Sequence, residues 1–226
     1  LPDGARIRVQ GKVDRVDVYR QDGTAYVRIV DYKTGAKQFR LSDVVEGINL
    51  QMLIYMMSIW QNGEKRYGPV KPAGLLYLPA RLPVLRVDRH ASGEELEREG
   101  IRALRMNGLL LDHPDIVRAM EADAAGLFIP AGLTQKEEWR RGSSVASLEQ
   151  FGQLKRRVEK LLCDMARTLR EGDIAALPAC GAADACAYCD YKAVCGFETG
   201  QPVRYIAQQD AAEVWKELAQ QEEAHE

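Results

Sequence analysis

Residues 5–19 alternate apolar and polar side chains over long stretches, with Gly11 as a bend. Gln21-Asp22-Gly23 separates them from a second such run, from about Ala25 to Lys33. Alternation at period two sets one face of a strand against a core, and a turn containing Asp-Gly suits the twist of paired strands. The two runs therefore predict a β-hairpin closed by Thr34-Gly35. Val44, Ile48, Met52, Tyr55 and Ile59 then recur at helical spacing. They predict one helix from a cap at Ser42 or Asp43 to about Asn62, where Asn-Gly stops it. Gly74 to Pro79 reads as a short apolar strand, and a stretch around Val84 to Val87 as another, for a sheet three or four strands wide.

Beyond Ser92 the pattern becomes almost wholly helical. Ser92 and Glu95 have the spacing of a capping box ahead of a helix from Glu94 to Met106, and Asp115 to Ala122 predicts another. Ser147 and Gln150 open the longest helix, with Leu148, Phe151, Leu154, Val158, Leu161, Met165 and Leu169 on one stripe and Gly172 as its stop. Residues 123–146 lack a period and read as a surface loop able to move. Val214 and Leu218 keep helical spacing in the tail. These elements predict an α/β fold, a small mixed sheet flanked by helices. Residues 1–200 would form the main domain with a cysteine-rich end at 180–197, and residues 201–226 a helical tail.

Composition narrows the classes. The chain has 226 residues, of which 46% are hydrophobic, enough for one core and hardly for two. Its formal charge of −2 gives the whole chain no pull on nucleic acid, so any such binding is local. The longest charge-free run, Gly47 to Gly63, is broken by Asn49, Gln51, Ser58, Gln61 and Asn62, a poor bilayer span, and no membrane is expected. The sequence starts at Leu1 without a basic-then-apolar leader, which reads as a piece of a longer protein working in the cytoplasm. Neither a G-x-x-x-x-G-K-[ST] loop nor G-x-G-x-x-G is present, so no ATP motor is expected within it.

The chemistry concentrates on the hairpin. Residues two apart on a strand share a face, so Asp31 and Lys33 project together while Tyr32 points away, and Asp14 lies on the neighbouring strand. Two carboxylates that leave room for water and phosphate suit Mg²⁺, and an ammonium beside them can steady charge on a phosphodiester. The alternative is an ordinary strand-end ion pair between Asp31 and Lys33 with Asp14 solvated. Gln51 and Tyr55 sit one helical turn apart and can reach the same place, or be boundary and core residues. Asp17, three residues from Asp14, belongs to the other face.

Gly11-Lys12-Val13-Asp14, Asp31-Tyr32-Lys33-Thr34-Gly35 and Gln51-x-x-x-Tyr55, together with Asn107-Gly108-Leu109-Leu110-Leu111, resemble the PD-(D/E)XK nuclease superfamily. The likeness is to its RecB-like branch, and there to the nuclease domains of AddB-type subunits of helicase-nucleases that process double-strand breaks. It implies a restriction-endonuclease-like core and a metal-dependent DNA exonuclease. Asp14, Asp31 and the Tyr32 carbonyl would be metal ligands, Lys33 the catalytic lysine, and Gln51 with Tyr55 its support. The metal would be Mg²⁺, with Mn²⁺ able to replace it. It also implies a single DNA strand as substrate, the 5′-ended one, and an AddA-type helicase-nuclease partner. The competing readings are a nuclease-fold scaffold that binds DNA or a partner without cutting, and a stand-alone exonuclease of the same branch. The superfamily's further metal ligand from a preceding helix is not in this sequence.

Cys186, Cys189 and Cys195 have the spacing of a soft-metal site. By spacing alone, Cys180 is the nearest fourth ligand for zinc, and three free thiols are the alternative. The resemblance implies a 4Fe-4S cluster completed by a distant upstream cysteine, and hence incomplete or absent in this stretch of chain. Lys155, Arg156, Arg157 and Lys160 on the longest helix are the best basic patch, either a solvated face or a contact for a DNA backbone.

Overall fold

The computed structural model describes residues 4, 6–35, 37–81, 84–198 and 200–223. Along the chain run β1 (Arg15–Gln21), β2 (Thr24–Lys33), α1 (Leu41–Val45), α2 (Gln51–Asn62), α3 (Glu64–Tyr67), β3 (Val70–Pro79), α4 (Gly93–Ala103) and β4 (Asn107–Leu111). They are followed by α5 (Pro114–Met120), β5 (Val145–Ala146), α6 (Leu148–Arg170), β6 (Ala179–Gly181), α7 (Lys192–Cys195), β7 (Arg204–Ile206) and α8 (Ala211–Glu223). They form two compact units, one of Gln10–Phe39 and Leu50–Lys155, the other of Leu1–Val9, Arg40–Asn49 and Arg156–Glu226.

The first unit holds a five-stranded mixed sheet in the order β1-β2-β3-β4-β5. The expected hairpin is present: β1 and β2 pair antiparallel from Arg15↔Val30 to Gln21↔Thr24. Asp22 and Gly23 both have positive φ, 48° and 74°, the geometry that lets a two-residue turn follow strand twist. The first strand is shorter than its alternation suggested. Residues 6–13 form no strand, and residue 5 lies outside the described residues.

β2 then pairs parallel with β3, and β3 antiparallel with β4. Both sides of β3 are thereby occupied. The expected strand at 84–87 consequently finds no edge beside β3, and Val84 is 93% exposed. β4 replaces the end of the helical stretch expected through residue 106 and beyond. Gly108 to Leu111 are buried in succession, the pattern of a strand covered on both faces, which shows no alternation to read.

The helix expected from Ser42 or Asp43 to Asn62 is two helices. Gly47 and Asn49 take positive φ, 75° and 58°. Asp43 Oδ2 accepts from Asn49 Nδ2 at 2.6 Å, and the Asp43 carbonyl accepts from Ile48 N at 2.7 Å. This local alternative to helical bonding stops α1, and α2 starts afresh at Gln51. α2 lies against β2 and β3 and buries Met52, Leu53, Met56 and Met57.

A second apolar cluster joins Val30, Leu76, Leu110 and Val117 to Ala124, Ile129, Ala131 and Leu133. Residues 123–146 are thus in part core rather than a surface loop. The Glu121 carboxylate anchors them by accepting from Leu127 N and Phe128 N at 2.9 and 3.0 Å. Both expected caps form. Ser92 Oγ accepts from Glu95 N, and Ser147 and Gln150 exchange hydrogen bonds at 3.1 and 2.8 Å ahead of α6.

In the second unit α8 packs on α1, with Val214 and Leu218 buried as their spacing predicts. Gly47 lies against Leu161 and Met165, while Met165 and Leu169 themselves are 41% and 73% exposed. β6 and β7, which no sequence pattern announced, pair parallel. No helix among the described residues is long and apolar enough to cross a membrane.

Candidate active site

The C-terminal end of β2 carries the groups singled out above. Past Val30 it has lost β1 as a partner but keeps β3, with Asp31 opposite Tyr77 and Lys33 opposite Pro79. Extending the β1–β2 register by one residue sets Asp14 opposite Asp31, and directly opposed residues of an antiparallel pair share a face. The Tyr32 amide, which a further residue of β1 would otherwise have met, instead donates to Asp14 Oδ2 at 3.2 Å. That bond fixes the carboxylate beside the strand end.

Asp31 is buried, and its Oδ2 forms an ion pair with the Lys33 ammonium. Among the described residues this oxygen has no hydrogen-bond donor besides that cation. The ammonium also stands 5.6 Å from the centre of the Tyr77 ring, whose face attracts a cation. Two independent contacts therefore aim Lys33 at the strand end. Tyr32 points the other way, 43% exposed, as the period of two requires.

Gln51 Nε2 donates to the Tyr55 hydroxyl at 3.0 Å, so the pair one turn apart on α2 acts as a unit. The Tyr55 ring lies on the backbone of Gly11, where a Cβ would come within 2.4 Å of Cε1. Gly11 is three residues before Asp14. The glycine therefore brings α2 against the segment that presents the first carboxylate, a role its reading as a bend did not foresee.

Asp17 belongs to the opposite face, as expected. It pairs with Arg15 at 2.8 Å and with Arg28 at 2.5 Å. Partial burial is the largest single influence on its carboxyl and opposes ionisation. The hydrogen bonds from Arg15 and Arg28 and their charges together outweigh it and hold the carboxyl below its ordinary range. The Arg15 guanidinium is correspondingly held above its usual value, chiefly by its bond to Asp17. A lowered carboxyl contributes stability above its unfolded value of about 4 and loses it as pH falls through the folded one. The melting temperature of Asp17→Asn is thus expected below that of the native chain at pH 7, with the gap closing in acid. A gap that widens in acid would contradict this assignment.

Other expected groups are less organised. Among the described residues, no set of three or more His, Cys, Asp or Glu is placed to hold a metal ion. Cys186 is half-buried, Cys189 and Cys195 are exposed, and Cys163 and Cys180 are half-buried; all are free thiols. Of the basic residues on α6, Lys155 stacks its ammonium over Trp60 at 5.5 Å and Arg157 donates to the Val45 carbonyl. Arg156 and Lys160 lie exposed on the same helix.

Sequence reasoning missed two residues near the site. Tyr77 had no signal beyond lying in an apolar strand. Asn107 stood in a quoted motif taken for a helix junction. Its amide holds the chain after Lys33, donating to the Lys37 carbonyl and accepting from Phe39 N, both at 2.8 Å.

A strand end with two acids, a lysine two residues on and a Gln/Tyr pair on the next helix now has its geometry. A family model described as the PD-(D/E)XK nuclease superfamily matches residues 2–196. The chain belongs to that superfamily. This PD-(D/E)XK chain is 35% identical over 224 residues to the AddB subunit of the ATP-dependent helicase/deoxyribonuclease of Thermoanaerobacter sp. (strain X514), an alignment covering 96% of the chain and 20% of that protein. The corresponding protein of Acetivibrio thermocellus is 34% identical over 230 residues, covering 99% and 20%. That of Symbiobacterium thermophilum is 36% identical over 225 residues, covering 97% and 19%. The chain spans about a fifth of the length of these curated relatives. The five-stranded mixed sheet with flanking helices is the α/β core that membership in the superfamily implies.

Proposed function

We propose that this PD-(D/E)XK chain is the nuclease domain of a helicase-nuclease subunit and hydrolyses phosphodiester bonds of a single DNA strand with Mg²⁺. The observation that carries the reading is the buried Asp31 oxygen, partnered by one cation, at a strand end where the Tyr32 amide fixes a second carboxylate. An anionic oxygen held out of water favours a second cation beside it. Two carboxylates and a backbone carbonyl are a donor set that suits Mg²⁺, which keeps several positions for water and phosphate. The residues present therefore fit the metal.

Asp14, Asp31 and the Tyr32 carbonyl would hold the ion. Bound there, Mg²⁺ supplies Lewis acidity toward the phosphate and lowers the pKa of water. Lys33 contributes a fixed positive charge at the position where negative charge grows on the phosphate, and Asp31 with Tyr77 keeps it there. Gln51 and Tyr55 hold the Asp14 segment through Gly11. An AddA-type partner, a helicase feeding the strand, the choice of the 5′-ended strand, work in double-strand break repair and a cytoplasmic setting belong to the same proposal. They are supported by the names of the relatives alone.

The cysteines do not fit their expected group as folded here. The three thiols fall one short of the four donors a 4Fe-4S cluster normally takes, and they are not gathered. No step of the reaction is assigned to them.

The test is cleavage of end-labelled single-stranded oligonucleotide by the intact protein. Cutting is expected with Mg²⁺ or Mn²⁺, to stop with EDTA, and to be lost in Asp31→Asn. DNA that is bound but left uncut under all these metals would replace the enzyme reading with the scaffold one.

A further inference from the structure

Next to the acidic pair the ends of β2, β3 and β4 enclose a cavity of about 490 Å³, within the range of sites that take a small ligand or one nucleotide. Lys33 lines it, so the proposed catalytic ammonium faces both Asp31 and this space. The other charged groups in its wall are Lys37 and Arg81; no carboxylate lines it among the described residues. Gln38 and Asn107 add amides, and Tyr77 a ring.

The wall is built rather than incidental. Both ends of the Asn107 amide are committed to the backbone at Lys37 and Phe39, as a neighbouring strand would be, which holds residues 37–39 alongside the start of β4. On the other side Ala80 N donates to the Lys33 carbonyl at 2.8 Å, which fastens the segment leading to Arg81 to the end of β2. Two cations are thus carried on tethered backbone at the mouth of one cavity, in a chain whose overall charge is slightly negative. Local positive charge beside a phosphate-cutting site, with room for a nucleoside, is complementary to a strand that continues past the bond being cut.

We infer that this cavity receives the nucleotide adjoining the scissile phosphate of a single DNA strand, with Lys37 and Arg81 on its phosphate. The inference rests on the proposed nuclease reading and adds the strand's path. Phosphate contacts of this kind set position without reading bases, so the pocket is indifferent to sequence.

The experiment measures binding of a fluorescent oligothymidylate to the intact protein in EDTA over a range of salt concentrations, for the native chain, Arg81→Ala, Arg81→Glu and Lys37→Ala. Each neutralised contact to a single strand is expected to make the slope of log K against log salt shallower by about 0.7, and Arg81→Glu to weaken binding further. In Mg²⁺ the same variants are expected to raise KM while kcat at saturation stays near native. Arg81 is exposed beyond the end of β3, and thermal melting checks that the fold is intact. Unchanged slopes and unchanged KM overturn the inference. A native protein that binds the oligonucleotide but shows no Lys33-dependent cutting sinks the nuclease reading instead, and the binding slopes still decide the cavity.

Discussion

Lys33→Met is expected to lower the rate of single-strand cleavage by about 10²–10³, the usual effect of removing one preorganised positive or hydrogen-bonding group from a developing anion. Methionine keeps the apolar stem beside Tyr77 and deletes only the charge. The substitution also leaves the Asp31 carboxylate sealed without its cation, so a lower melting temperature accompanies the lost rate. Lys33→Gln separates the two effects. Its amide N–H can return a donor to Asp31 and recover part of the melting temperature, while the positive charge at the phosphate stays absent and the rate stays low. Single-turnover cleavage at saturating Mg²⁺, paired with thermal melting, reads both. A folded Lys33→Met protein that cuts at the native rate would remove this lysine from the chemistry.

How much of this could be read from the chain depends on what each pattern encodes. Period two placed Asp31 and Lys33 on one face and Tyr32 on the other, and the structure agrees, because strand geometry alone decides it. The same period put Asp17 across the sheet, where Arg15 and Arg28 hold it. One helical turn joined Gln51 to Tyr55. What escaped notice were relations set by tertiary neighbours. Gly11 read as a bend because nothing local reveals that an aromatic ring presses on it. The break between α1 and α2 depends on Asp43 and Asn49 hydrogen-bonding locally, a competition that an unbroken row of apolar positions conceals. Residues 124–133 are buried without any period, since a coil folded against a sheet presents side chains at irregular intervals. Asn107 was visible as a letter in a motif, but its task, to stand in for a strand beside residues 37–39, needed the position of β4.

That position explains the second large effect. Gly108→Ala is expected to destabilise the sheet unit by about 2–6 kcal/mol, the sum of a strained backbone and a steric overlap. Gly108 has φ of 153°, and a Cβ there would lie 2.0 Å from the Leu75 carbonyl oxygen and 3.0 Å from the Leu76 Cα. The obstacle is backbone of β3, paired with β4 at Leu76↔Gly108, so no side-chain rotation relieves it. Gly74, one strand over with φ of 157°, meets the Leu109 carbonyl oxygen at 2.8 Å in the same way. The two glycines let β3 and β4 approach at the places where each would otherwise push the other away. Since β4 carries Asn107 and β3 carries Tyr77, separating these strands also loosens the wall of the cavity and the ring beneath Lys33. Gly108→Ala is therefore expected to lose activity together with melting temperature, and to regain activity on cooling if the fold recovers. Gly93→Ala, at the first position of α4 with open space around it, supplies the control and is expected to melt at or slightly above the native temperature. Equal melting of the two variants would show that β3 and β4 do not meet through Gly108.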